Sequence, residues 1–309
     1  MGTARSQALE WLRSHRNFPQ LYSVGKFGFP IGRSTIFPIE DDWSINATGY
    51  RGNARVAQIA RNPHLEALWT DTQGPWMRAV RVRGLGYHTD RTTLLAVYNE
   101  REDLARAKGE GFGPRLQGQA IIDTVCCTHI RPVRVTLEGF SGPASVDSWA
   151  VDPATLRPAP PAADGSEPPT GPTGFRQPLE MTIGEVSAKA LEWTRNLKCP
   201  QHLYTIQDGF PTGLSVACRA GDDWATDAAV PADDPAVRAV SENPHVEVSW
   251  IDASHDAAKN VIPTIVFLRG MARAVAGKSG ATTTIRIRPT RIRTEGFGKG
   301  LQLYAWNLS

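Results

Sequence analysis

The amino-acid sequence predicts a mainly β protein with minor α content, built as two copies of one domain in tandem. Three observations carry this. An ordered set of short motifs occurs twice. Most apolar segments are short, rich in Val, Ile, Thr and aromatics, and broken by Gly and Asp-Asp turns, which is the pattern of strands. The helical patterns are few and do not alternate regularly with the strands, so a doubly wound α/β sheet is excluded.

The repeat can be followed residue by residue. Ala8-Leu9-Glu10-Trp11 returns as Ala190-Leu191-Glu192-Trp193, and Leu21-Tyr22 as Leu203-Tyr204. Gly28-Phe29-Pro30 returns as Gly209-Phe210-Pro211, and Asp41-Asp42-Trp43 as Asp222-Asp223-Trp224. Asn62-Pro63-His64 returns as Asn243-Pro244-His245, followed by Trp69 and Trp250. Farther on, Arg131-Pro132 through Glu138-Gly139-Phe140 matches Arg288-Pro289 through Glu295-Gly296-Phe297. A Pro-, Gly-, Ala- and Ser-rich stretch separates the copies and reads as an extended linker. The expected domains are therefore 1–145, a linker at 146–180, and 181–309.

Within the first copy, Leu9, Trp11 and Leu12 sit at helical spacing. Residues 31–39 and 43–48 read as a hairpin around Glu40-Asp41-Asp42. Residues 53–61 read as a helix stopped by Asn62-Pro63. Residues 65–70, 78–89 and 129–138 read as strands, and 100–108 as a polar helix capped by Asn99. The Gly-rich stretch Gly109 to Gln119 reads equally as a pocket lid or a plain connection. Copy two has its own polar insertion around His255-Asp256.

Composition narrows the function. The chain has 309 residues, 41% hydrophobic and 21% charged, with a net charge of +3, so no nucleic-acid or membrane-surface footprint is expected. No apolar run reaches the ~18 residues that span a bilayer. The start has no apolar signal core, and a loose match to a myristoylation pattern at Gly2 is too short to carry weight. Cys126, Cys127, Cys199 and Cys218 have no zinc spacing, which fits a reduced, cytoplasmic location. No nucleophile elbow, Walker loop or dinucleotide fingerprint is present.

The stretch Thr48-Gly-Tyr-Arg51-Gly-Asn53-Ala-Arg55-Val-Ala-Gln58-Ile-Ala-Arg-Asn62-Pro63 resembles a signature of the flavin-binding split-barrel family that includes pyridoxamine-phosphate oxidases. Asn53 stands where Ser is usual there, and Arg55 where Lys is usual. Arg33-Ser34-Thr35 occupies the strand that carries a phosphate-binding Arg in that family, and Arg78 opens a similar strand pair, with Ala79 where Gln is frequent. The resemblance implies two FMN-binding split-barrel domains packed as an intramolecular pseudo-dimer, with the cofactor between barrels. It implies cofactor contacts at Arg33, Ser34, Thr48, Arg51, Asn53, Arg55, Gln58 and Arg78, and a ring contact from Tyr304 or Trp306, for which core packing is the competing reading.

The residues themselves agree with a phosphate there. Arginine forks make paired charge-assisted bonds to phosphate, and a helix N-terminus adds free N–H groups and a favourable dipole. Copy two is the control. Arg33, Arg51 and Arg55 align with Leu214, Ala232 and Ala236, and Asn53 aligns with Asp234, whose carboxylate would repel a phosphate. One phosphate-bearing cofactor per chain is expected, held by copy one. The shared Gly-Phe-Pro, Asp-Asp-Trp and Asn-Pro-His motifs then read as structural. His88 or His129 could serve as a haem ligand. The expected function is an FMN-dependent oxidoreductase acting on a small organic substrate, as a monomeric pseudo-dimer or a homodimer. The alternatives are F420 or haem as cofactor, or a binding protein without turnover.

Overall fold

A computed structural model describes residues 2–14, 19–35, 37, 39–71, 76–107, 116–163, 179–197, 201–252, 264–277, 280–297 and 302–308. The first half comprises α1 (Gly2–Ser14), β1 (Gln20–Val24), β2 (Pro30–Ile31), β3 (Ile45–Tyr50), α2 (Ala54–Arg61), β4 (His64–Asp71), β5 (Arg78–His88), α3 (Arg91–Ala107), α4 (Gln119–Thr124), β6 (Val125–Glu138) and β7 (Val146–Ala150). The second comprises α5 (Ile183–Asn196), β8 (Gln201–Gln207), β9 (Phe210–Val216), β10 (Cys218–Ala220), β11 (Thr226–Pro231), α6 (Pro235–Glu242), β12 (His245–Asp252), β13 (Thr264–Ala276), β14 (Thr282–Glu295) and β15 (Leu303–Asn307). Each half is one curled antiparallel sheet, ordered β2-β1-β4-β5-β6-β3 and β10-β11-β14-β13-β12-β8-β9, with β7 and β15 added on β6 and β14. The architecture is two tandem split-barrel units.

The two halves share their irregularities as well as their strands. The register shifts at Arg83/Gly84 in one and at Arg269/Gly270 in the other, where the partner strand carries Pro132 or Pro289. A proline cannot donate to the ladder, so a bulge forms there. The Asp-Asp-Trp motif forms the same turn twice. Trp43 and Trp224 lie at φ 69° and 65°, and Asp42 and Asp223 accept from the backbone N–H two residues on. The tryptophans then pack edge-on against Trp149 and Trp306.

Three expectations change. The helix expected at 100–108 begins at Arg91, and its first turn is held by Asp90, which accepts from the Thr93 N–H; Asn99 lies inside it. The apolar residues before Asn99 supply the reason. Leu94 and Tyr98 bury against Ile121, Val125 and Cys127, so packing extends the helix beyond its polar end. The hairpin at Asp41-Asp42 has a short upstream arm, joined to β3 by the Ile39–Ile45 bridge alone among the described residues. Composition assigned 146–180 to the linker, yet β7 falls inside it and pairs with β6, as β15 pairs with β14. Residues 160–163 are also tied back to the first half through the Tyr87 hydroxyl and His88 carbonyl. The Gly-rich stretch lies mostly, and the second-copy insertion wholly, outside the described residues.

The motifs expected to be structural are the ones that join the halves. His64 lies tilted against Phe210, and reciprocally His245 stacks on Phe29, with centroids 4.1 and 4.0 Å apart. Arg83 lies over Phe210 and Arg269 over Phe29. Glu66 accepts from the Gly213 N–H, and Glu247 from the Gly32 N–H. Each contact is made twice with the roles of the halves exchanged, which is the mark of an isologous interface. A separate buried cluster of Tyr22, Leu68, Ala79, Tyr204, Ile251, Ile265 and Phe267 fills its centre.

Candidate functional site

The reciprocity breaks at one place. A cavity of about 210 Å³ opens between the halves, lined by Ile31, Arg33 and Gln58 of the first and by Glu247, Phe267, Arg269, Arg291 and Arg293 of the second. Arg33 follows β2, in register with Leu21 of β1, and Gln58 projects from α2, where it accepts from Ser23 Oγ at 2.8 Å. The three second-half arginines come from neighbouring strands β13 and β14.

Four guanidiniums face one carboxylate across this cavity. Burial, and then the guanidiniums of Arg293 and Arg55, pull Arg33 well below the usual arginine range, despite Glu247 and Glu295 nearby. Arg269 is lowered for the same first reason, burial, although it pairs with Glu247 at 3.3 Å. Arg293 stacks 4.1 Å from the centroid of Phe267, donates to the Gly32 carbonyl, and lies 3.4 Å from Glu295. The Nε atoms of Arg33, Arg269 and Arg293, and Ser34 Oγ, are buried without a hydrogen-bond partner. Buried donors normally find acceptors, and crowded cations are costly. Both features are relieved by an anion.

The other residues expected in a phosphate cradle are dispersed around this point. Arg55 is buried beneath β3, with its guanidinium so close to Gly49 that a Cβ there would lie 2.7 Å from it. Thr48 is buried on β3 opposite Cys127. Arg51 reaches the Ile122 carbonyl at 3.0 Å and so ties β3 to α4. Asn53 stands at the N-cap of α2 and makes no side-chain cap bond, whereas Asp234 caps α6 through the Ala236 N–H at 2.8 Å. The start of α2 is therefore open where its counterpart is closed.

Two expected residues lie elsewhere. Arg78 sits over Phe140 on the surface beside Trp11 and Trp76. Trp306 is half-buried and packs against Trp224 at the edge of the second-half core, in which Tyr304 is buried, accepting from the Glu180 and Met181 N–H groups. His88 has both ring nitrogens engaged, with the Val56 carbonyl at 3.0 Å and Thr128 Oγ1 at 3.2 Å, and burial lowers its pKa. His129 contacts Asn46 Oδ1 at 2.9 Å and is also lowered by burial.

Sequence reading missed Phe267, Arg269, Arg291, Arg293 and Glu247. A signal for part of this set was present. Arg293 aligns with Thr136, so the second copy gains a charge there while it loses charges elsewhere.

At the position related by the repeat, Arg81 and Arg83 face Glu66 and Glu138. Arg81 stands where Phe267 stands, paired with Glu138, 3.8 Å from Glu66, and bonded to His202 Nδ1 at 2.8 Å and Ser215 Oγ at 3.1 Å. Leu214 and Thr136 replace Arg33 and Arg293.

No family model matches the chain, and no curated protein matches it. Among solved structures it is similar to a pyridoxamine 5'-phosphate oxidase-related, FMN-binding protein from Nostoc punctiforme, 20% identical over 48% of this chain and 95% of that one, with a TM-score of 0.35. It is similar to a protein described as an F420 reductase, 19% identical over 41% of this chain and 94% of that one, with a TM-score of 0.34. It is also similar to a haem-binding protein from Mycobacterium smegmatis, 15% identical over 42% of this chain and 60% of that one, with a TM-score of 0.33. These likenesses concern fold. No helix among the described residues is long and apolar enough to cross a membrane.

Proposed function

We propose that the chain binds one phosphate-bearing flavin, FMN, at the boundary between its halves and acts as an oxidoreductase on a small organic substrate. The observation that carries this reading is the half-buried, crowded Arg33. It lines the cavity with Arg293 and has an unpartnered Nε; the charges of Arg293 and Arg55 act on it, and Ser34, the next residue in the chain, also has an unpartnered Oγ. These groups fit a phosphate. Its oxygens accept from forked guanidiniums and from the open N-terminus of α2. At about 210 Å³ the cavity is smaller than the ~300–1,000 Å³ of pockets that enclose whole drug-sized ligands, so it matches the charged end of a cofactor.

When bound, the flavin would supply the electron transfer. The chain's own part is to hold the phosphate through Arg33, Ser34, Arg55 and Asn53, and to exclude water with the apposed second half. Thr48 and Arg51 support β3 behind the arginines. No acid or base is required of the protein for that role.

The test is the absorbance spectrum and mass of any small molecule released from purified protein, in the parent and in Arg55→Ala. Flavin in the parent and its loss in the variant support the proposal. A deazaflavin or haem spectrum, a colourless protein that takes up no FMN, or occupancy unchanged by Arg55→Ala would overturn it.

A further inference from the structure

The cleft holds more positive charge than one phosphate contact requires, and most of it comes from the second half. Arg33, Arg269, Arg291 and Arg293 line one cavity, Arg269 stands directly across from Arg291 on the neighbouring strand, and the charge of Arg55 reaches Arg33. The row thus crosses from one half to the other. Glu247 is committed to Arg269 and the Gly32 N–H, and Glu295 to Arg293. No carboxylate lies within ion-pair distance of Arg33 or Arg291 among the described residues. Arg269 Nε and Arg293 Nε are buried and unpartnered.

We propose that Arg269, Arg291 and Arg293 form a second anion subsite in this cleft, which takes a carboxylate or phosphate group. The first anion sits on the Arg33 and Arg55 side, so the bound molecules together carry two anionic groups. The placement of that first anion rests on the phosphate reading above; the second subsite does not depend on flavin.

The counterpart position shows which charges are particular to the cleft. There, Thr136 replaces Arg293 and bonds to Ser148 Oγ at 2.9 Å, and Arg134 turns to the same hydroxyl at 3.3 Å. Arg81 is matched by Glu138 and Glu66, and Arg83, the counterpart of Arg269, pairs with Glu66 at 3.6 Å and has a buried, unpartnered Nε as Arg269 has. What the cleft adds is Arg33 and Arg293, whose places hold Leu214 and Thr136 in the counterpart. Arginine forks suit carboxylate and phosphate oxygens, and like-charged neighbours become favourable only when an anion lies between them.

The experiment titrates the purified full-length protein with inorganic pyrophosphate and with inorganic phosphate by calorimetry. The parent is compared with Arg291→Ala and Arg293→Thr. Arg291 is exposed, so Arg291→Ala guards against a folding failure in Arg293→Thr. Pyrophosphate, which can span two subsites, should bind more tightly than phosphate, and each variant should weaken it by about tenfold. Repeating the titration on cofactor-loaded protein separates the sources. Retained binding that depends on Arg291 places the second anion on the substrate; full competition places both anions on the cofactor. If pyrophosphate does not bind, or binds the variants as it binds the parent, the second subsite does not exist, even where flavin is present. A colourless protein that binds pyrophosphate through Arg291 keeps this subsite and rejects the flavin.

Discussion

Tyr22 lies flat against Tyr204, its counterpart one repeat later, with ring centroids 3.4 Å apart and planes 10° from parallel. Both rings are fully buried, and Phe267 meets Tyr22 edge-on. The pair sits at the centre of the reciprocal contacts that join the halves. Tyr22 also donates to Ser249 Oγ at 2.8 Å. Removing such a ring from a closed interface leaves a cavity on both sides. Tyr22→Ala should destabilise the protein by about 3–5 kcal/mol, and Tyr22→Phe, which loses only the hydroxyl bond, by about 1 kcal/mol. Denaturant melts of the three proteins measure this. A Tyr22→Ala chain as stable as the parent would show that the halves do not depend on this contact.

His202 gives the interface a pH dependence. It is fully buried, and burial, then the charge of Arg81, hold its pKa well below the usual histidine range. The groups facing it are Arg81 and Ser215, with Glu138 and Glu66 behind Arg81. A histidine whose folded pKa is depressed contributes stability above its unfolded pKa of about 6.5. That stability is lost as pH falls, because the unfolded chain takes up the proton and the folded chain does not. Glu66 and Glu247, raised by burial, act in the opposite sense below that range. The contribution of His202 is isolated by His202→Gln, since Gln20 occupies the matching place in β1. Between pH 7.5 and 5.5 the variant should lose less stability than the parent. Parallel losses would mean that His202 does not titrate on unfolding.

Arg33 should trade stability against binding. Leu214 stands at its place in the second half, so Arg33→Leu restores a residue that this backbone already accepts. The change removes the repulsion from Arg293 and Arg55 and an unpartnered buried donor. The ligand-free variant should therefore melt at a higher temperature than the ligand-free parent, by the equivalent of about 1–2 kcal/mol. It should also lose the stabilisation that inorganic phosphate gives the parent. A variant that is less stable and still responds to phosphate would remove Arg33 from the site.

The parts of this molecule that were legible in the sequence have local causes. Asp41-Asp42-Trp43 and Asn62-Pro63-His64 each fold on themselves, through a carboxylate or amide that accepts from a backbone N–H two residues away. Their recurrence therefore reported the duplication directly. What the histidines touch was not local: His64 meets Phe210, and His245 meets Phe29, across the interface. The cation row was hidden for the same reason. Arg33 was identifiable by resemblance, but Arg269, Arg291 and Arg293 gain meaning only once β13 and β14 are laid against β2. Strand β7 was hidden differently, because its neighbours are rich in Pro, Gly and Ser, and its pairing with β6 is non-local.

Asn53 offers the sharpest separation of fold from site. Its backbone (φ −66°, ψ 134°) matches that of Asp234 (φ −62°, ψ 132°), yet only Asp234 caps its helix. A carboxylate at 53 would find the same geometry and accept from the N–H two residues on. It would also complement the dipole of α2, adding about 0.5–1 kcal/mol to stability. The same charge would face the anion held by Arg33 and Arg55, and phosphate binding should weaken by about tenfold. Asn53→Asp is therefore expected to move two readouts in opposite directions, melting temperature up and phosphate affinity down. A variant that gains stability and binds phosphate unchanged would place the anion away from the start of α2. One that loses both would mean that Asn53 supports the fold by a contact other than the cap.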